Sequence, residues 1–192
     1  MAERPVFYFD YSSPYSYLAA LRIGELLPDA TWRPIAFGAL IRELGKLPWS
    51  LGPGRAAGIR EIERRAAARG VPPLRWPDGW PDRSYSLLPL RAALVAEDQD
   101  LLQPFSAAAY RMMFVDGRTL TEPADVLEAA AAAGLDTDGV AIGIADPAIK
   151  ARLRAYTDAA IERKVAGVPT VAVGGELFWG DDMLEAAAAA AA

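Results

Sequence analysis

The chain has 192 residues, 53% of them hydrophobic, with 20 Lys+Arg against 25 Asp+Glu and a net charge of −5. That length and apolar content suit one domain, or one domain carrying a large insertion, with a substantial core, and they exclude disorder as a class. The acidic balance argues against a nucleic-acid partner, and the absence of both Cys and His excludes disulfide exchange, a thiolate of the chain's own, Ser-His-Asp triads and ordinary zinc sites.

Met1-Ala2-Glu3-Arg4-Pro5 runs straight into an apolar segment, without a basic region followed by a long apolar stretch and a small-residue cleavage site. No stretch approaches the roughly 20 apolar residues of a membrane span, so a cytoplasmic protein with no membrane partner is expected. Val6-Phe7-Tyr8-Phe9 is a β-favouring run without polar alternation, which predicts a central strand buried on both faces. From Pro14 the residues Tyr17, Leu18, Leu21 and Leu26 fall at helical spacing. Thr31-Trp32-Arg33-Pro34-Ile35 reads as a second strand, its proline favouring an edge. Strand, helix and strand of this length imply a right-handed βαβ unit.

The middle changes character. Residues 45–54 are rich in Pro and Gly, 59–68 read as a charged, Ala-rich helix, 75–82 as a Trp/Pro loop, and 87–96 and 103–114 as further helices. Thr121 is the expected N-cap of an Ala-rich helix stopped at Gly134. Asp146-Pro147 opens another helix with an acidic N-cap and Pro in its first turn. Val168-Pro169-Thr170-Val171-Ala172-Val173 and Glu176-Leu177-Phe178-Trp179 flank Gly174-Gly175, a hairpin signal. Gly180-Asp181-Asp182 supplies a turn and capping acids for a last helix that runs into seven consecutive alanines at 186–192.

This order, βαβ then helices then ββα, with a turn of functional character at the first helix and Val-Pro opening the third strand, resembles the thioredoxin fold with an inserted helical domain, as in the DsbA-like group. The implied class is α/β, with residues 1–45 as the N-terminal thioredoxin-like part, 46–162 as an all-helical insertion and 163–192 as the C-terminal part. Ser13-Pro14-Tyr15-Ser16 stands where that group carries two cysteines. A closer resemblance rests on Phe9 to Ala19 (FDYSSPYSYLA), on 159–170 (AAIERKVAGVPT) and on 178–182 (FWGDD). These segments resemble the 2-hydroxychromene-2-carboxylate isomerases, relatives of the kappa-class glutathione transferases.

On its own segment Ser13 reads as an ordinary helix cap, with Ser12 competing for that position. The resemblance implies that Ser13 also hydrogen-bonds the thiolate of glutathione, which a helix N-terminus favours electrostatically. It implies a cis Val168-Pro169 bond, with the Val168 main chain pairing glutathione as an extended peptide. It places Asp182, assisted by Asp181, on the γ-glutamyl ammonium. Asp181 stands where relatives often carry Asn or Ser and adds a negative charge. Lys46 stands where relatives carry Asn, and Arg55 falls near the position of a basic residue further along that loop; the resemblance has both meeting a carboxylate of glutathione or substrate, and on their own segment both read equally as free, solvent-facing loop cations. The aromatic hydroxyl expected three residues after Arg55 is replaced by Gly58. Trp49, Trp76, Trp80, Tyr85, Phe114 and Trp179 could wall a slot for a flat bicyclic substrate.

The implied activity is glutathione-dependent isomerisation of a small aromatic carboxylate, with a homodimer as the form common among relatives. A kappa-like transferase or DsbA-like isomerase acting on another electrophile is the alternative enzyme. A non-catalytic thioredoxin-like module that holds an extended peptide at Val168 is the alternative outside enzymes.

Overall fold

The computed structural model describes residues 3–82 and 85–192; Met1 and Ala2 of the N-terminal segment read above lie outside them. Strands β1 (Val6–Phe9), β2 (Thr31–Pro34), β3 (Thr170–Val173) and β4 (Glu176–Trp179) form one sheet in the order β2-β1-β3-β4. β1 pairs parallel with β2 and antiparallel with β3, and β3 pairs antiparallel with β4. The central place of β1 follows from its unbroken apolar run. Phe7 and Phe9 point into one core cluster and Tyr8 into the other. Burying each phenylalanine stabilises the fold by about 1.5–3 kcal/mol. Pro34 is tolerated because β2 is an edge strand, and Gly174, at φ +55, turns the hairpin between β3 and β4.

Helix α1 (Pro14–Leu26) follows β1 directly, and α2 (Phe37–Glu43) follows β2. A short 3-10 turn over Trp49–Leu51 leads to α3 (Arg55–Ala68). The block α4 (Leu87–Asp98), α5 (Leu102–Phe114), α6 (Pro123–Ala132) and α7 (Thr137–Ala145) precedes the long α8 (Pro147–Glu162), and α9 (Leu184–Ala191) closes the chain. The expected thioredoxin-like frame with a helical insertion is therefore present. The insertion has no separate core: Phe105, Tyr110, Phe114 and Val126 share one cluster with Phe7, Phe9, Leu18 and Leu184. α8, which the sequence boundaries put in the insertion, also packs on the sheet side: Arg33 of β2 lies 4.0 Å over the Tyr156 ring, and Thr157 Oγ1 accepts the Ala36 N–H at 3.0 Å.

Several local expectations are corrected. Glu122, not Thr121, occupies the N-cap of α6, without a side-chain cap bond. α9 begins beyond Asp181 and Asp182, with Met183 at its N-cap, so neither acid caps it. α2 and α7 are helices that the sequence reading did not anticipate. Asp146 does cap α8, accepting the Ala148 N–H at 2.7 Å. Among the described residues no helix is long and apolar enough to cross a membrane, and no group of His, Cys, Asp and Glu has the makings of a metal site.

Candidate active site

The link between β1 and α1 fixes the first group of the site. Asp10, fully buried, accepts the Ser12 N–H and the Ser12 hydroxyl at 2.8 Å on one oxygen and the Phe37 N–H at 2.8 Å on the other. Burial lifts its carboxyl above the ordinary 3.8, and the hydrogen bonds from Ser12 and Phe37 oppose that rise. Ser12 is thereby committed to Asp10, and Ser13 becomes the N-cap of α1, its Oγ accepting the Ser16 N–H at 3.2 Å. The Ser13 hydroxyl donates to the Val168 carbonyl at 3.4 Å, near the long limit of a hydrogen bond and readily exchanged for a better acceptor. Pro14 has no N–H, and the Tyr15 N–H meets no acceptor among the described residues. The positive end of the α1 dipole therefore presents one open amide beside the serine hydroxyl.

Val168 and Pro169 adjoin this corner and line with it one cavity of about 490 Å³, and the peptide bond between them is cis. The Val168 N–H makes no hydrogen bond among the described residues. An extended peptide main chain could take both its donor and its acceptor.

The acids after β4 lie on the same cavity, with different fates. Asp181 is fully buried, with Arg65 Nη1 2.6 Å from one oxygen and Arg69 Nη1 paired to the other. The charge that sets this position apart is thus neutralised inside the protein, and Asp181 holds arginines rather than facing a ligand. Asp182 keeps an exposed carboxylate on the cavity, 3.3 Å from Arg65 Nη2. Arg65 also binds Glu61 through Nε at 2.7 Å. Burial pulls its pKa down, but the Glu61 bond and the charges of Asp181 and Asp182 outweigh that and leave it above its ordinary value. Arg65 and Arg69 escaped the sequence reading because a run of charges on an Ala-rich helix looks like a solvated face; the pattern to use was Arg65 and Arg69 four apart, on one side of α3.

The opposite wall is aromatic. Trp49 stands 5.9 Å from Tyr15 and 5.7 Å from Trp80, ring centre to ring centre, while Trp76, tilted 4.6 Å from Trp80, packs behind it and does not line the cavity. Gly58 explains how Trp49 fits: a β-carbon there would fall inside the indole, so the glycine that replaces an expected aromatic hydroxyl is the socket of Trp49. Trp179 also lines the cavity, packed against Gly167 just before Val168. Tyr85, by contrast, is exposed, and Phe114 is buried in the core behind Trp76; neither lines the cavity. Lys46 lies on the rim and enters none of the ion pairs among the described residues. Arg55 does not line the cavity: it hydrogen-bonds the Trp80 carbonyl and lies 5.8 Å from the Trp80 ring, which makes it a brace for the wall.

Ser13, Val168, Pro169, Asp182 and Lys46 are thus brought to one cavity, Asp181 lies in its wall with its carboxylate occupied, and Arg55 stands outside. Such a corner can stabilise an anion at Ser13, pair an extended main chain at Val168, hold an ammonium at Asp182 and pack a flat ring against Trp49, which the buried Trp80 backs.

Residues 6–192 match the model of the DSBA-like thioredoxin domain. Among characterised proteins the chain is 29% identical over 189 residues to a 2-hydroxychromene-2-carboxylate isomerase of Sphingobium xenophagum, covering 93% of each. It is 30% identical over 197 residues to the enzyme of the same name from Pseudomonas putida, covering 93% of this chain and 89% of that one. The fold superposes on a solved 2-hydroxychromene-2-carboxylate isomerase with a TM-score of 0.79 and 26% identity, over 95% of this chain and 93% of the other. The chain belongs to the DsbA-like thioredoxin family and, within it, to the group of the 2-hydroxychromene-2-carboxylate isomerases.

Proposed function

We propose that the cavity binds glutathione and that the protein is a glutathione-dependent isomerase, converting a 2-hydroxychromene-2-carboxylate to the open, trans-configured benzylidenepyruvate. The observation that carries this reading is the meeting, in one cavity, of the Ser13 hydroxyl with the Tyr15 and Val168 N–H groups, neither of which finds an acceptor among the described residues. A chain without Cys or His has no strong nucleophile of its own, and these groups suit a peptide that brings one.

The residues present fit the tripeptide. Val168 offers a donor and an acceptor to its main chain, Asp182 an anion to its ammonium, and Ser13 and the α1 N-terminus a hydrogen bond and a positive field to its sulfur. Bound there, glutathione supplies a thiolate whose reversible addition to the substrate double bond allows rotation about it. The protein lowers the cost of that thiolate, orients both reactants and excludes water with the tryptophan wall. Lys46, which lines the cavity and enters no ion pair among the described residues, would hold the substrate carboxylate.

The test is conversion of the hydroxychromene carboxylate to the trans product, followed by absorbance. Turnover should require glutathione, fail with S-methylglutathione and fall sharply in Ser13→Ala. Turnover indifferent to glutathione would overturn the reading, and a stable conjugate in place of the isomer would make the protein a transferase.

A further inference from the structure

The isomerisation needs a proton as well as a nucleophile. When the cyclic hemiketal opens, the C2–O1 electron pair goes to the ring oxygen, which must take up a proton while the hemiketal hydroxyl gives one up to become the keto oxygen. Histidine is absent from the chain, so the donor must be sought among the other titratable groups on the cavity. Asp181 is locked between two arginines, and Arg65 is held by Glu61, Asp181 and Asp182. Asp182 and Lys46 are charged groups at the two ends assigned above to ammonium and carboxylate. The remaining one is Tyr15.

Tyr15 is two residues from Ser13, in the first turn of α1, and lines the same cavity. One neighbour of its ring is Trp49, the aromatic wall on which a flat substrate would stack. Another is the Arg65 guanidinium, 5.4 Å from the ring centre and fixed by its acids. The Tyr15 hydroxyl has no hydrogen-bond partner among the described residues, unlike those of Tyr11 and Tyr110, which are tied to Ser106 and to the Asp10 carbonyl. Packing accounts for the half-buried ring, and it leaves a phenol hydroxyl with no bond among the described residues on the cavity that Ser13 and Trp49 also line.

We propose that Tyr15 is the general acid of ring opening, giving its phenolic proton to the ring oxygen as the C2–O1 bond breaks. The tyrosinate regains the proton released by the hemiketal hydroxyl through water, so the step is neutral overall; in reverse, the same phenolate is the base. The charged groups that act on the hydroxyl are Arg65 and Glu61 of α3 and Asp181 and Asp182 after β4. Burial raises its pKa above the ordinary 10, Arg65 opposes that rise, and the three carboxylates add to it. Tyr15 is therefore protonated at neutral pH, as an acid must be.

The proposal rests on the isomerase reading but concerns a step that needs no thiol. Ring opening is measured by stopped-flow absorbance with protein and hydroxychromene carboxylate in the absence of glutathione, and trans product is measured with glutathione present. Tyr15→Phe, which keeps the ring against Trp49 and Arg65, should slow both by roughly 100-fold in kcat with KM little changed, and calorimetric binding of glutathione should stay within about twofold of wild type. A Tyr15→Phe protein within threefold of wild type in ring opening would overturn the proposal and leave the isomerase reading intact. So would a wild type that forms trans product with glutathione but does not accelerate opening without it. A wild type that acts in neither assay would overturn both.

Discussion

Asp181→Asn removes the charge from a carboxylate that is wholly buried and paired with Arg65 and Arg69, while nearly preserving its shape. Breaking a buried ion pair by neutralising one partner costs about 3–5 kcal/mol, because the remaining charge is left desolvated. The lower end applies here: the two arginine side chains stay 21% and 22% exposed, and Arg65 retains Glu61 and Asp182. About 3 kcal/mol of lost stability, at 2–4 °C per kcal/mol for a chain of this size, corresponds to a fall in Tm of roughly 6–12 °C. Thermal unfolding followed by far-UV circular dichroism at neutral pH measures it. Adding Arg69→Gln to Asp181→Asn should cost much less than Arg69→Gln alone, since the arginine has then already lost its partner. A fall in Tm below about 2 °C, or strictly additive losses, would refute the assignment of Asp181 as an internal counter-ion.

Further expectations concern the two loop cations and the buried acid beneath the site. Lys46→Met should raise the KM for the carboxylate substrate about tenfold, the worth of one charge-assisted hydrogen bond, whereas Arg55→Met, outside the cavity, should change it less than twofold; steady-state kinetics with the order reversed would reject this placement. Asp10 has a folded pKa above its unfolded value, with burial the dominant cause, so the folded chain binds its proton more readily than the unfolded one. Its contribution to stability is fully present below about pH 3.8 and is lost as pH rises through the raised folded value. The Tm of wild type minus that of Asp10→Asn should therefore decrease from pH 3.5 to pH 7, and an increase over that interval would show the opposite sign of shift.

The thioredoxin-like frame was legible because its signals are local and strong. The unbroken run at 6–9 demanded a strand buried on both sides, Pro34 demanded an edge, and Gly174-Gly175 between two β-rich runs demanded a hairpin; each stands as read. α2 was missed because Pro34 and Gly38 interrupt a short apolar stretch, and its first N–H is satisfied by Asp10 from across the fold rather than by a local cap. The candidate site was legible as one cavity at the residues that the resemblance marked, Ser13, Val168, Pro169 and Asp182. It was obscure where partners meet only in three dimensions. Asp181 reads as a surplus acid until Arg65 and Arg69 close over it from α3. Gly58 reads as a lost hydroxyl until Trp49 fills its place. Arg55 reads as a free cation until Trp80 takes it up.

Whether the α1 N-terminus and Ser13 hold glutathione as its thiolate is read from calorimetric titration of glutathione at neutral pH in two buffers of different ionisation heat, with Ser13→Ala beside the wild type. Binding should be accompanied by proton release, with Ser13→Ala retaining the fold but losing the release. Absence of binding, or S-methylglutathione binding as tightly as glutathione with no proton released by either, would contradict it.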